Sequence, residues 1–222
     1  MKLNRTYASG SELPPSLPVF PVAGALLLPR RPIQLTVFEP RYLQMLDDAL
    51  SGERLIGMIQ PKAGEEATGS APELCEIGCV GRIVQFAEIG DGRCFLSLAG
   101  VTRFRVAQEI KSLTPYRIVR ADYAAFAQDF VEGSGEAEVD REGLLKALRD
   151  FAKANDLKID WDDIDKASNE TLVNSLAIMS PYGAREKQAM LEAADLKARA
   201  EILIAIAQFD MAGGAEGAGR LH

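Results

Sequence analysis

Over the first 122 positions, apolar residues recur at every second place in short runs. Ile33-Gln34-Leu35-Thr36-Val37 alternates strictly, and Cys79 to Phe86, Arg93 to Leu98, Phe104 to Ile110 and Tyr116 to Asp122 are strand-like in the same way. Gly90-Asp91-Gly92 separates two of these runs with residues that tolerate positive φ, which predicts a tight hairpin. Ala99-Gly100 predicts another turn. Many short strands without a repeated intervening helix point to an antiparallel, barrel-like sheet and away from a βαβ fold. One helix interrupts them: Pro40 suits its first turn, Leu43, Leu46, Ala49 and Leu50 repeat at helical spacing, and Gly52 stops it. Its apolar stripe is expected to cover one end of the barrel. Gly64 to Pro72 reads as a mobile loop.

Past Glu132 to Glu138, read as flexible, the apolar period lengthens to about 3.6 residues. Asp140 is placed to cap a helix bearing Leu144, Leu145, Leu148 and Phe151, and Asn169 a second bearing Leu172, Leu176 and Met179. Asp160 to Asp165 forms an acidic turn around Trp161; it lacks the central glycine and final glutamate of a calcium loop, so it reads as a helix cap. Ser180-Pro181 breaks the chain before a third helix, with a further break predicted near Ala194-Asp195. The predicted organisation is α+β: a flexible N-terminus (1–16), a β-barrel with one inserted helix (17–122), a linker (123–139), an α-helical bundle (140–210) and a flexible tail (211–222).

Charge separates the same parts. The net charge is −7, with +1 up to Asp122 and −8 beyond it, which argues against a generic basic nucleic-acid binder. At 47% hydrophobic and 26% charged, the composition is that of an ordinary globular protein. No apolar run approaches the roughly 20 residues of a membrane helix, and Met1 to Pro18 has no signal-peptide core, so no membrane association and a cytoplasmic location are expected.

Candidate chemistry narrows further. The one histidine is the last residue, His222, which removes triads, imidazole metal sites and histidine proton shuttles. Cys75, Cys79 and Cys94 lack partners to complete four metal ligands and read as reduced, buried strand residues; no metal or cofactor is expected. No Gly-Lys pair, dinucleotide glycine fingerprint or nucleophile elbow occurs, and adjacent carboxylate pairs such as Asp47-Asp48 cannot together flank a substrate bond. No catalytic residue is therefore assigned.

Two segments stand out. Phe38-Glu39-Pro40-Arg41-Tyr42 compresses a strand end and a helix start; Arg41 is read as pairing with a sheet carboxylate and Tyr42 as packing inward, with a binding rim as the functional alternative. In Gly100-Val101-Thr102-Arg103-Phe104-Arg105, the two arginines share one sheet face and Phe104 points to the other. With Arg82, Arg93, Arg117 and Arg120 nearby, an RNA-reading face through Arg82, Arg103, Arg105 and Arg117 is the second reading. The absence of flanking aromatic pairs and the supply of Glu88, Asp91 and Glu109 favour a salt-bridged surface.

Taken in order, further segments resemble one family. They are Leu17-Pro18-Val19-Phe20-Pro21, Leu28-Pro29, Leu35 to Tyr42, Ile56-Gly57-Met58-Ile59, Ile77 to Ile83, Asp91-Gly92-Arg93, Leu98 to Phe104, Tyr116-Arg117, Leu172 to Ala177, Ser180-Pro181 and Glu186 to Glu192. The chain resembles the Lon protease N-terminal, substrate-binding domain in its stand-alone bacterial form, over nearly all of residues 17 to 209. The resemblance implies a PUA-like barrel followed by a helical bundle, and recognition of unfolded or tagged polypeptide. Separate ATPase and Ser–Lys protease domains act in full-length Lon, and the sequence ends at His222 with neither, so the expectation is a non-enzymatic module. Its expected ligand is an unfolded or extended polypeptide held between barrel and helices, with a protease or chaperone as associated partner and nucleic acid not expected. Candidate contact residues are Met45, Met58 and Phe104 as apolar lining, Arg41 and Tyr42 at a rim, and Arg41 or Arg103 as charge readers. A small molecule in the same cleft is the third reading.

Overall fold

From Cys94 to Ile110 the backbone stays extended for 17 residues, straight through the Ala99-Gly100 step where a turn is predicted. Gly100 is there for close approach. A Cβ at this position would collide with the Leu28 carbonyl oxygen, while Gly100 N–H donates to Arg31 O at 2.9 Å and Arg30 N–H donates to Gly100 O at 2.9 Å. The facing ladder slips between Val80 and Gly81, where the strand bends.

That long strand organises the sheet. The computed structural model of the chain describes residues 5–62, 72–154 and 160–218, with side chains as far as 210. The expected loop at Gly64 to Pro72 lies, apart from Pro72, outside them. Strands β1 (Ser16–Pro21), β2 (Pro32–Val37), β3 (Leu55–Ile59), β4 (Ile77–Glu88), β5 (Cys94–Ile110) and β6 (Arg117–Asp122) run in the order β2-β5-β4-β3-β1-β6, and β6 pairs again with β5. This closes five strands into a ring and leaves β2 attached to the first half of β5. All pairings are antiparallel except β1 with β3, where Val19 faces Gly57 in parallel. A parallel pair needs a long connection, and the stretch containing β2 and the inserted helix supplies it. Leu17, Val19, Leu55, Ile59, Val80, Phe104 and Val119 fill the barrel.

The hairpin is as predicted: Gly90, Asp91 and Gly92 all have positive φ (81°, 51° and 69°). Helix α1 (Pro40–Ser51) has proline in its first turn and buries Tyr42, Met45, Leu46 and Ala49. Its buried face is therefore rotated from the predicted stripe, since Leu43 and Leu50 are only half-buried; Tyr42 turns inward against Phe20, with ring centroids 4.4 Å apart.

Residues 123–139, expected as a linker, form two 3-10 turns (Ala124–Phe130 and Glu136–Glu138) that bury Phe126, Asp129 and Val139. Helix α2 (Arg141–Ala154) is capped by Asp140, whose carboxylate accepts from Gly143 N–H at 2.9 Å, and α3 (Trp161–Lys166) by Asp160. Helix α4 (Asn169–Met179) is capped by Ser168, accepting from Thr171 N–H at 3.2 Å, and not by Asn169. The Asn169 amide has other work, donating to Glu136 O at 2.9 Å and accepting from Arg141 at 2.8 Å. After the break at Ser180-Pro181 come α5 (Ala184–Glu192) and α6 (Leu196–Ala218), separated where predicted, with Asp195 accepting from Ala198 N–H at 2.8 Å. Helix α6 runs past the expected end at 210.

Packing divides the chain into two compact units, Met1–Glu132 with Tyr182–Leu191, and Gly133–Pro181 with Glu192–His222. The expected cut at 122 is thus displaced, because Phe126 and Asp129 belong to the first unit's core and α5 returns to it. Among the described residues, no helix is long and apolar enough to cross a membrane.

Candidate functional site

At the start of α1, Arg41 bonds Glu39 two residues away, Nε to Oε2 at 2.9 Å, and its guanidinium lies 4.6 Å from the Tyr42 ring centre. The pair is local; no sheet carboxylate takes part as the sequence suggested. Burial, opposed by the Arg41 cation, raises the Tyr42 pKa. Beside them Phe38 is 64% exposed.

The candidate contact residues are mostly interior. Met45, Met58 and Phe104 are buried in the core, and Tyr42 is buried under Arg41, so a ligand cannot reach them. Arg103 is 2% exposed and fully engaged. Its Nε donates to Asp129 Oδ2 at 3.0 Å, Nη2 to Oδ1 at 2.9 Å and Nη1 to Leu191 O at 3.2 Å, with the Phe126 ring 4.8 Å away. It is an internal tie between β5, the 3-10 turn and α5. Sequence parity placed it beside Arg105 correctly, but could not show that the 3-10 turn covers that face. Of the six candidates, Arg41 alone is exposed.

The alternative arginine face is also consumed. Arg105 pairs with Glu76 at 2.8 Å, Arg117 takes both oxygens of Glu109 at 2.7 and 2.6 Å, and Arg82 donates to Tyr7 Oη at 3.0 Å and Glu53 O at 3.2 Å. The hydrogen bond from Arg117 holds the Glu109 carboxyl below its ordinary value. With Arg103 buried, these four form no continuous cationic surface.

Sequence reasoning missed a glutamine clasp. Buried Gln60 accepts from Gly24 N–H at 2.9 Å and donates to Ala184 O at 3.1 Å and Gln188 Oε1 at 3.2 Å, while Gln188 donates to Ile77 O at 3.0 Å. It fixes α5 to the barrel strands. Two glutamines 128 positions apart carry no spacing signal by which to find them.

An open strand edge is the accessible feature. Among the described residues, β2 pairs with β5 alone. Gly100 N–H bonds Arg31 O, so alternation directs the backbone groups of Ile33, Leu35 and Val37 toward β5 and those of Gln34 and Thr36 outward. Pro32, with no N–H to give, sits at an outward position. Phe38 follows this edge, 64% exposed, whereas exposed Phe86 lies on β4, on the other side of β5.

A five-stranded ring with a long shared strand and a helical second unit defines a fold class, and comparison supplies the family. Residues 16–208 match the family described as ATP-dependent protease La (LON) substrate-binding domain, and the chain belongs to that family. It is 29% identical over 210 residues to the Lon protease of Desulfosudis oleivorans, covering 89% of this chain and 24% of that one. It is 30% identical over 210 residues to Lon protease 2 of Sorangium cellulosum, covering 88% and 25%. The chain thus spans about a quarter of the length of these relatives. Among solved structures, a Lon N-terminal domain protein from Xanthomonas campestris superposes with a TM-score of 0.60 at 25% identity, covering 86% of this chain and 97% of that one. The N-terminal domain of Mycobacterium avium complex Lon protease, at 16% identity, shares the fold with a TM-score of 0.60, covering 87% and 98%.

Proposed function

We propose that the chain is a non-catalytic polypeptide-recognition module that takes an extended segment along the outer edge of β2. The observation carrying this reading is the pair of outward backbone positions, Gln34 and Thr36, followed along the chain by exposed Phe38. An extended chain laid there completes outward main-chain hydrogen bonds without sequence preference, and the Phe38 side chain adds apolar contact. Recognition by backbone suits unfolded clients, which share little else. A protease or chaperone would then receive the bound chain.

The test is Thr36→Pro, which removes an outward N–H and leaves the β2–β5 ladder intact. Anisotropy titration against an unfolded, uncharged polypeptide should show binding weakened by about tenfold, roughly 1.4 kcal/mol, with an unchanged melting temperature. Undiminished binding would place the polypeptide elsewhere. Binding that collapses with added salt and prefers structured RNA would instead restore the arginine reading.

A further inference from the structure

One side of β2 is taken by β5, and the other carries the outward main-chain groups of Gln34 and Thr36. Natural strand edges are ordinarily guarded against other chains by charged side chains or proline. Here no position from Pro32 to Phe38 is charged, and the guard is a single proline at the start. The side chains of Pro32, Gln34, Thr36 and Phe38 are all exposed, while Ile33 and Leu35, on the opposite face, are half-buried.

This edge is self-complementary when a second β2 runs beside it in the opposite direction. Outward residues have to meet outward residues, which leaves few registers. In one of them a two-fold axis passes through Leu35. Gln34 then meets Thr36 of the second copy and exchanges both main-chain bonds with it, and Thr36 does the same with Gln34. Ile33 faces Val37 and Leu35 faces its own counterpart, apolar against apolar. One step outward, Phe38 meets Pro32. The proline lacks an N–H but keeps its carbonyl to accept from Phe38 N–H, and its ring gives the exposed aromatic side chain a surface to rest on. Moving the axis to Gln34 sets Val37 against Arg31, and moving it to Thr36 sets Ile33 against Glu39, so the hydrophobic pattern selects Leu35.

We propose that two copies of this chain pair antiparallel along β2 about Leu35, and that an extended polypeptide gains the edge by displacing one copy. The displacement rests on the polypeptide-recognition reading; the pairing stands without it. A second copy suits the edge better than an unrelated strand because the two-fold operation makes every bond twice from one sequence and brings Phe38 onto Pro32. A single strand pair is a small interface, which makes the dimer reversible and the exchange feasible.

The test uses the full chain. Sedimentation velocity over a dilution series should show a monomer–dimer equilibrium. Gln34→Cys and Thr36→Cys, both at exposed positions, then read the register under mild oxidation, with the unaltered chain as the control for Cys75, Cys79 and Cys94. Facing Cα atoms in such a pair lie about 5.5 Å apart, within disulfide range. An equal mixture of the two variants should therefore give several-fold more covalent dimer than either alone. The locked dimer should bind an unfolded, uncharged polypeptide at least about tenfold more weakly than the reduced mixture, with recovery on reduction. Covalent dimer from Gln34→Cys alone or Thr36→Cys alone places the axis elsewhere and overturns pairing about Leu35. A chain that stays monomeric at every concentration, or a dimer that none of these variants crosslinks, overturns self-pairing and leaves polypeptide recognition standing. A locked dimer that binds polypeptide undiminished overturns the displacement and the β2 reading of polypeptide binding together, while the pairing stands.

Discussion

Arg103 and Asp129 show how a single residue pair can look functional in sequence and be structural in space. Both are buried, and each oxygen of Asp129 accepts from the guanidinium. Asp129→Asn leaves the cation buried with a weakened partner, and Asp129→Ala leaves it with none; Asp129→Ala should cost about 3–5 kcal/mol in urea unfolding. A loss under 1 kcal/mol would mean water reaches Arg103. Gly100→Ala should destabilise by about 1–3 kcal/mol, because the neighbour that must yield is backbone. Titration follows from two further residues. Burial, aided by a 2.6 Å hydrogen bond to Asp48, pushes the Tyr116 phenol up to about 12 from 10.0. Its folded value lies above its unfolded one, so its contribution is complete below pH 10 and fades as pH rises toward 12. Tyr116→Phe should flatten that alkaline decline in melting temperature. Glu136 behaves oppositely: hydrogen bonds, first from Glu170 N–H, lower its value below 4.5. Its contribution is present above pH 4.5 and is lost as pH falls through the lowered value, so Glu136→Gln should reduce the acid sensitivity of the melting temperature.

The elements were legible to different degrees, for physical reasons. Ser168→Ala, which removes the cap of α4, should cost about 1 kcal/mol, whereas Asn169→Ala should cost more than a cap because it releases Glu136 and Arg141 together. Denaturant midpoints of the two variants distinguish the cases. Adjacent polar residues at a helix start look alike in sequence; only the partners across the fold decide which one caps. The hairpin at Gly90-Asp91-Gly92 and the start of α1 at Pro40 were readable because their causes are local backbone preferences. Strand β5 was not, since its glycine answers to Leu28, more than seventy positions away, through a contact that spacing does not encode. The candidate site failed on the same ground: Met45, Met58 and Phe104 were chosen as apolar linings, and apolar residues that fit a ligand also fit a core. Arg41 stays exposed because a charged side chain beside a helix start has few ways to be buried.

At the scale of the whole molecule, chain order and spatial grouping disagree. The first unit draws its last piece, residues 182–191, from beyond most of the second, and Gln188 on that piece meets Gln60 and Ile77. Truncation after Glu132 should therefore yield a barrel less stable than the same strands in the full chain, with faster amide exchange at Ile77 and Gln60; equal protection would show α5 to be dispensable. Gln188→Leu tests the same clasp by leaving the Gln60 amide and Ile77 carbonyl buried without their partner, at a cost of about 1–3 kcal/mol. The pairing of Ser16 with Arg120 adds a constraint of time. During synthesis β1 leaves the ribosome before β6 and meets it about a hundred residues later, roughly five to twenty seconds at ordinary elongation rates. For that interval Leu17 and Val19 have no completed barrel to enter, and their apolar side chains stay open to whatever surface reaches them before β6 does.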